Sequence, residues 1–205
     1  MNLATESYRK FIHILLLIIP VIFISLGKWK TLMILAPITI FIVALDYMRG
    51  KNPSIKILFA KIFGKILRPH ELDGTKLCGA SWVFLGATIN FAIFSPVIAV
   101  TSFLILVISD ALAALVGKAV PSQVFFEKSF AGSAAFFISA LIILIACGIS
   151  YHCSFSFYLF GIFTVFCVTI IEARPSLLKI DDNFSIPIIF SMVMSFFDIL
   201  WNYSY

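Results

Sequence analysis

What most constrains this chain is a succession of apolar runs, each about as long as a bilayer core is thick, joined by short polar links. The runs cover residues 11–26, 31–48, 77–94, 97–117, 131–150, 155–173 and 186–201. A helix rises about 1.5 Å per residue, so about 20 apolar residues span a hydrocarbon core of roughly 30 Å. A water-soluble fold of 205 residues cannot bury seven such segments, and with only 12% of its residues charged the chain has little polar surface to cover them. The expected fold is therefore all-α: one membrane-embedded domain over residues 1–205, a polytopic integral membrane protein of about seven transmembrane helices.

The links organise the runs. The first run ends in Ser25-Leu26-Gly27-Lys28, without the small-x-small pattern of a cleaved signal, and reads as the first membrane helix. GKWK at 27–30, Ser95-Pro96 and residues 150–154 are short enough to pair neighbouring runs as hairpins. Pro20, Pro37 and Pro187 lie inside or at the start of runs, where neighbouring helices can satisfy the freed carbonyls. Residues 49–76 break the pattern with seven Lys or Arg and the acids Glu71 and Asp73. Within them SIKILFAKIFGKIL sets Lys56, Lys61 and Lys65 among apolar side chains, which suits an amphipathic helix at the headgroup level. Such a helix anchors the protein to anionic lipid or gates lateral access for a lipid substrate.

Basic residues fix the orientation. The N-terminus and the links after the second, fourth and sixth runs hold 13 of the 15 Lys and Arg, against Lys28 and Lys30 on the other side. The positive-inside rule then puts the N-terminus in the cytoplasm and the C-terminus, with Trp201, Tyr203 and Tyr205 as an aromatic belt, outside. The expected location is multi-pass in the bacterial inner (cell) membrane. The net charge of +5 does not imply a nucleic-acid partner, because the basic residues sit in separate short links rather than on one continuous surface.

Asp110 stands apart. It follows thirteen uncharged residues, and an aspartate at mid-membrane costs roughly 2.5 to 3.5 kcal/mol on insertion scales, so it calls for a metal, a pathway or a polar partner. The stretch after it, within VISDALAALVGKAVPSQVFFEKSFAGS (107–133), brings Lys118, Lys128, Ser129, Gly132 and Ser133 to the start of the next run. Cations, small residues and helix-start N–H groups are the ingredients of a phosphate site. In the inferred orientation Asp46, Asp110 and Glu172 lie at the cytoplasmic ends of their runs, beside Arg174, Asp181 and Asp182. Each acid could alternatively be an ion-paired helix-end residue, as Asp46 beside Arg49 suggests. Cys78, Cys147, Cys153 and Cys167 form no C-x-x-C and read as buried thiols, His152 has too few companions for a metal, and Asn90 and Asp198 read as helix-bridging polar groups on the outer side.

These residues resemble the CTP-dependent lipid kinases, the family that includes dolichol kinase, phytol kinase and the CTP-using diacylglycerol kinase. SDALAALVGKAVPSQVFFEKSFAGS is similar to the family signature, an aspartate followed by small residues, a glycine with a basic residue, and K-S-x-x-G-S. ESYRKFIH, LRPHELDGTKLCGASWVFLGA and EARPSLLKIDDNFSIP resemble its other patches, in the same order along nearly the whole chain. Ala119-Val120-Pro121 departs from it, standing where the family has a second glycine and basic residue. The CDP-diacylglycerol synthases carry a related pattern, so the signature alone does not separate phosphoryl from cytidylyl transfer.

The resemblance implies a kinase that phosphorylates a membrane lipid alcohol with CTP and Mg²⁺. It implies Asp110 and Asp182 as metal ligands, Asp110, Lys128 and His13 as catalytic residues, and Lys118, Ser129, Gly132, Ser133, Arg9, Lys10 and Asn183 around the phosphates. A CDP-lipid-forming cytidylyltransferase is the rival enzyme and a small transporter the non-enzymatic alternative. The oligomeric state is not legible.

Overall fold

Long apolar segments leave the backbone only itself to hydrogen-bond with, and they fold as helices. The computed structural model describes residues 11–64, 67, 71, 74, 76–178 and 180–201. Among these the helices are α1 (Phe11–Leu26), α2 (Lys28–Lys51), α3 (Pro53–Phe63), α4 (Gly79–Ile93), α5 (Pro96–Ala119), α6 (Phe130–Ser150), α7 (Phe155–Ala173) and α8 (Asp182–Trp201). Five of them, α2 and α5 to α8, are long and apolar enough to cross a membrane, whereas α1 and α4 are apolar but shorter. α4 starts two residues later than its apolar run because Cys78 is held extended, its N–H donating to Asp46 Oδ2 on α2 at 2.6 Å.

α5 is the axis of the bundle. Its central stretch is 78% buried, against 22% for α2 at the periphery, and it packs on α4, α6, α8 and α1. α7 closes against α6 and α8, and α2 against α1 and α4. Pro96 occupies the first position of α5, where its missing N–H removes no helical bond. The core is aromatic: Phe91, Phe103, Phe136, Phe157 and Phe190 are fully buried, with Phe91 against both Phe23 and Phe103. Large apolar side chains such as Phe41, Ile142, Phe163 and Ile199 cover the outside, the inverse of a water-soluble protein. An outer surface of this kind on helices of this length makes the chain a membrane protein.

A polar knot ties the interior. Asn90 Nδ2 of α4 donates to Ala99 O (2.8 Å) and Ser102 Oγ (3.0 Å) of α5, and Ser191 Oγ of α8 donates to Asn90 Oδ1 (2.7 Å). Asn90 thus bridges helices, as its place in an apolar run suggested. Asn90→Ala strips both serines of their shared partner inside an apolar core, and we expect a loss of about 1–2 kcal/mol, read as a lower unfolding temperature in detergent.

Two departures from ideal helices matter for the site. Pro187 has no N–H to bond the carbonyl of Asn183 one turn earlier, and Gly86 of α4 lies against that carbonyl, so close that an added Cβ would come within 3.1 Å of it. The link 120–129, expected as an open loop, folds into a small antiparallel hairpin, β1 (Val124–Phe125) with β2 (Lys128–Ser129), the one strand pair among the described residues of an otherwise helical chain. Its turn puts Phe126 at a left-handed φ of 56°, a conformation an aromatic residue adopts only when held there. Glu127 does the holding: its N–H donates to Ala173 O (3.0 Å), and its carboxylate accepts from Ser176.

α3 covers most of the stretch whose sequence suggested an interfacial helix. Asn52 caps its first N–H groups, Pro53 opens it, and none of its residues is fully buried, leaving Ile57, Leu58 and Ile62 exposed beside Lys61.

Candidate active site

The hairpin delivers Lys128 to the ends of three helices. Its ammonium lies 2.6 Å from Glu172 Oε1, on the last turn of α7, and 3.1 Å from Asp182 Oδ2, at the first residue of α8. Asp110 lies within electrostatic reach of all three groups. It is buried at the start of the second half of α5, directly after a widened π turn over Ile105–Ser109, a local defect common at functional sites. Ser133 Oγ, from α6, donates to Glu172 Oε2 at 3.5 Å. Asp181 caps α8 by accepting from Asn183 N (3.0 Å), which aims Asp182 into the cluster from a helix N-terminus that favours negative charge.

Burial alone would push the Lys128 pKa down. The charges of Asp182, Glu172 and Asp110 outweigh that effect and hold it well above the usual lysine value, so Lys128 is an ammonium throughout the physiological range. Three carboxylates around one ammonium leave a surplus of negative charge in a poorly hydrated place, an environment that favours further cations.

Among the described residues no group of three or more His, Cys, Asp or Glu side chains is arranged to hold a metal by itself. Mg²⁺ ordinarily takes only one or two protein carboxylates and fills its remaining positions with phosphate oxygens and water. Asp110 and Asp182 are hard oxygen donors in one negatively charged cluster, and that donor set fits a Mg²⁺ arriving with a nucleotide.

The glycine-bearing loop is used differently from the sequence expectation. The N–H groups at the start of α6 are engaged by the chain itself: Phe130 donates to Gln123 O (2.9 Å), Ala131 to Ser122 Oγ (3.0 Å) and Gly132 to Ser129 Oγ (3.2 Å). Ser129 is thus the cap of α6, because the hairpin folds back over the helix start. Gly132 serves helix packing, since a Cβ there would meet Ala113 O at 2.8 Å and one on Gly117 would meet Ser129 Oγ at 2.6 Å. We expect Gly132→Ala to cost about 1–3 kcal/mol by forcing α5 and α6 apart, measurable as lost thermal stability of the folded protein. Lys118 lies on the exposed last turn of α5, two turns beyond Asp110.

The residues that only the family resemblance singled out divide in two. Arg9 and Lys10 lie outside the described residues. His13 and Asn183 both line one apolar cavity beside the cluster. Glu172 is the member of the cluster that the resemblance did not assign. Its signal was the one that marked Asp110, an acid inside an apolar run, muted by its place at the helix end.

A second charged group sits nearby and is structural. Arg49 pairs with Asp46 one turn earlier on α2 and donates to the carbonyls of Glu71 and Lys76. Asp46 Oδ2 accepts from Cys78 N and from Ser81 Oγ (2.7 Å), and Glu71 Oε1 accepts from Gly79 N (2.8 Å). With Phe59 of α3 over the Arg49 guanidinium at 4.8 Å, this clamp joins α2, α3 and the start of α4. Asp46 is therefore the ion-paired residue that its neighbour Arg49 suggested.

No family model matches the chain. Over 197 residues, 94% of each chain, it is 35% identical to the uncharacterized protein RP860 of Rickettsia prowazekii (strain Madrid E). The chain belongs to the family of that Rickettsia protein. It is also 27% identical over 193 residues, 93% of each chain, to the uncharacterized protein MJ1137 of Methanocaldococcus jannaschii. The family relationship thus covers nearly the whole chain rather than one segment. No solved structure matches it.

Proposed function

We propose that this protein is a membrane phosphotransferase that moves the γ-phosphoryl group of CTP to a lipid alcohol at the cytoplasmic face. The observation that carries the reading is the cluster itself: Lys128 held between Glu172 and Asp182, with Asp110 behind it, where α5, the hairpin, α7 and α8 meet. Phosphoryl transfer asks a protein chiefly for positioning and charge neutralisation, and cations beside metal-binding carboxylates supply both.

In this reading Asp110 and Asp182 hold Mg²⁺, which when bound offsets the charge of the triphosphate. Lys128 binds phosphate oxygens. The acceptor hydroxyl oxygen bonds to the γ-phosphorus as the bond to the β-phosphate oxygen breaks, CDP leaves, and the hydroxyl proton passes to the carboxylate cluster. A cytidylyltransferase would use the same groups on the α-phosphorus with pyrophosphate leaving. A transporter needs a polar path through both halves of the bilayer, but the polar knot in the other half, at Asn90, Ser102 and Ser191, is closed by its own hydrogen bonds.

The reading includes the seven-span topology with a cytoplasmic N-terminus. A reporter fused after Tyr205 is expected to be reached from outside and one inserted near Ser122 from the cytoplasm. Both on one side would contradict it. The activity is tested with purified protein, γ-labelled and α-labelled CTP and a panel of lipid alcohols. The γ-label on the lipid with CDP released supports the kinase, while the α-label with pyrophosphate moves the chain to the cytidylyltransferases.

A further inference from the structure

Beside the charged cluster lies a cavity of about 350 Å³ between α1, α2, α3 and the starts of α4 and α8. Its deeper wall is apolar, from Leu16, Ile42, Val83 and Phe84, with the exposed Phe41 at its outer rim. His13, Glu71 and Asn183 are among its polar lining residues, and two of them meet the backbone of Gly79: Glu71 Oε1 accepts from its N–H (2.8 Å) and Asn183 Nδ2 donates to its carbonyl (3.5 Å). The residues of the deep wall lie three to five positions further into their helices than lining residues nearer the polar end: Leu16 beyond His13, Ile42 before Leu45, Phe84 beyond Gly79. At about 1.5 Å per residue, the cavity runs from a polar mouth into the bundle along the helices.

Two features make the mouth a built one. Glu71 is buried and fixed to Gly79 N, and Asn183 Nδ2 donates to Asp181 Oδ1 at 2.7 Å. Gly79 leaves the space between them open, since a Cβ there would lie 3.1 Å from Asn183 Nδ2 and 3.6 Å from Glu71 Oε1. Asn183 also directly follows Asp182, which pairs with Lys128. Adjacent residues of α8 thus join the mouth of the cavity to the charged cluster.

We propose that this cavity is the binding site for a single long hydrocarbon chain ending in a hydroxyl, with the hydroxyl at Glu71 and Asn183 and the chain along Ile42 and Phe84. The inference rests on the phosphotransferase reading for its purpose but not for its test. Mostly apolar walls with a few convergent polar groups are the make-up of a small-ligand site, and walls this apolar suit a hydrocarbon chain better than a charged headgroup. α3 contributes Phe59 and Phe63 to the outer wall, and it is itself exposed on its far side. A chain therefore reaches the cavity from the bilayer beneath α3, and the Arg49 clamp, through Phe59, keeps that wall in place.

The probe is a long-chain primary alcohol carrying a photoreactive diazirine, placed either next to the hydroxyl or at the far end of the chain. Irradiation of the whole protein in mixed micelles, followed by peptide mapping, should label the segments of Glu71 and Asn183 with the first probe. The second should label those of Ile42 and Phe84. Ala80→Trp puts a ring into the cavity from an exposed position on the first turn of α4, and should reduce both labels severalfold while Mg²⁺-dependent CTP binding stays unchanged. Ile42→Trp, from the opposite wall, does the same should Ala80→Trp not fold. Label confined to bilayer-facing residues such as Phe163 and Ile199, or undiminished in a folded tryptophan variant, overturns the proposal. A probe that labels the cavity but is never phosphorylated leaves the site standing and removes the kinase reading. A probe that is phosphorylated without labelling the cavity does the reverse.

Discussion

Asp110→Asn is expected to lower turnover by about 10²- to 10³-fold while the protein stays folded. The substitution keeps the shape and hydrogen-bonding capacity of the side chain, so a residue that only packs between helices should tolerate it at a cost of about 1 kcal/mol. A metal-binding carboxylate has a different loss. Without its charge the triphosphate is no longer offset, and several kcal/mol of transition-state stabilisation at about 1.4 kcal/mol per decade gives the expected fall. The measurement is turnover with γ-labelled CTP on protein that gives a sharp size-exclusion peak. Near-normal turnover in folded Asp110→Asn would return the acid to a packing role.

Lys128→Ala should show large losses of two kinds. It leaves the Glu172 carboxylate, 1% exposed, without its counter-ion, and stranding a buried charge costs about 3–5 kcal/mol. The lysine side chain is 30% exposed, so water enters where it is removed, and we expect the lower end of that range. Glu172→Gln in the same chain should recover much of the loss, and the non-additivity of the double-mutant cycle, read from thermal unfolding in detergent, measures the pair. The second loss is in binding. Because the α6 helix-start N–H groups are already engaged by Gln123, Ser122 and Ser129, Lys128 carries more of the phosphate charge than an open helix N-terminus would leave to it. Nucleotide affinity should fall by about 10- to 100-fold, the worth of one charge-assisted hydrogen bond.

The helices were legible because an apolar run of bilayer length has few other ways to satisfy its backbone, and the pairing of runs followed from links too short to reach further. The late start of α4 was not, because it depends on Asp46 reaching across from α2 to take the N–H of Cys78, a contact 32 positions apart. The hairpin at 124–129 was hidden for a related reason. Its strands are two residues each, and its turn holds Phe126 at positive φ only because Glu127 is tied to the end of α7.

In the site, Asp110 announced itself by the cost of its position, with no help from any motif. Glu172 met the same criterion less sharply, lying at a helix end two residues before Arg174, where an acid needs no special partner. Gly132 read as room for a phosphate, but the space beside it is filled by Ser129 and by the opposite helix. Residue type indicated close approach; only the fold says what approaches. His13 and Asn183 came from the family resemblance alone, and it is the cavity between α1, α4 and α8 that brings them near each other.

The most direct test of a nucleotide site at Asp110 is equilibrium binding of CTP to the purified, folded protein with and without Mg²⁺, by calorimetry, for wild type and Asp110→Asn. Saturable binding that requires Mg²⁺ is expected in the wild type, and its near-complete loss in the variant. Binding that is equally tight without Mg²⁺, or unchanged in folded Asp110→Asn, would contradict a nucleotide site at this cluster.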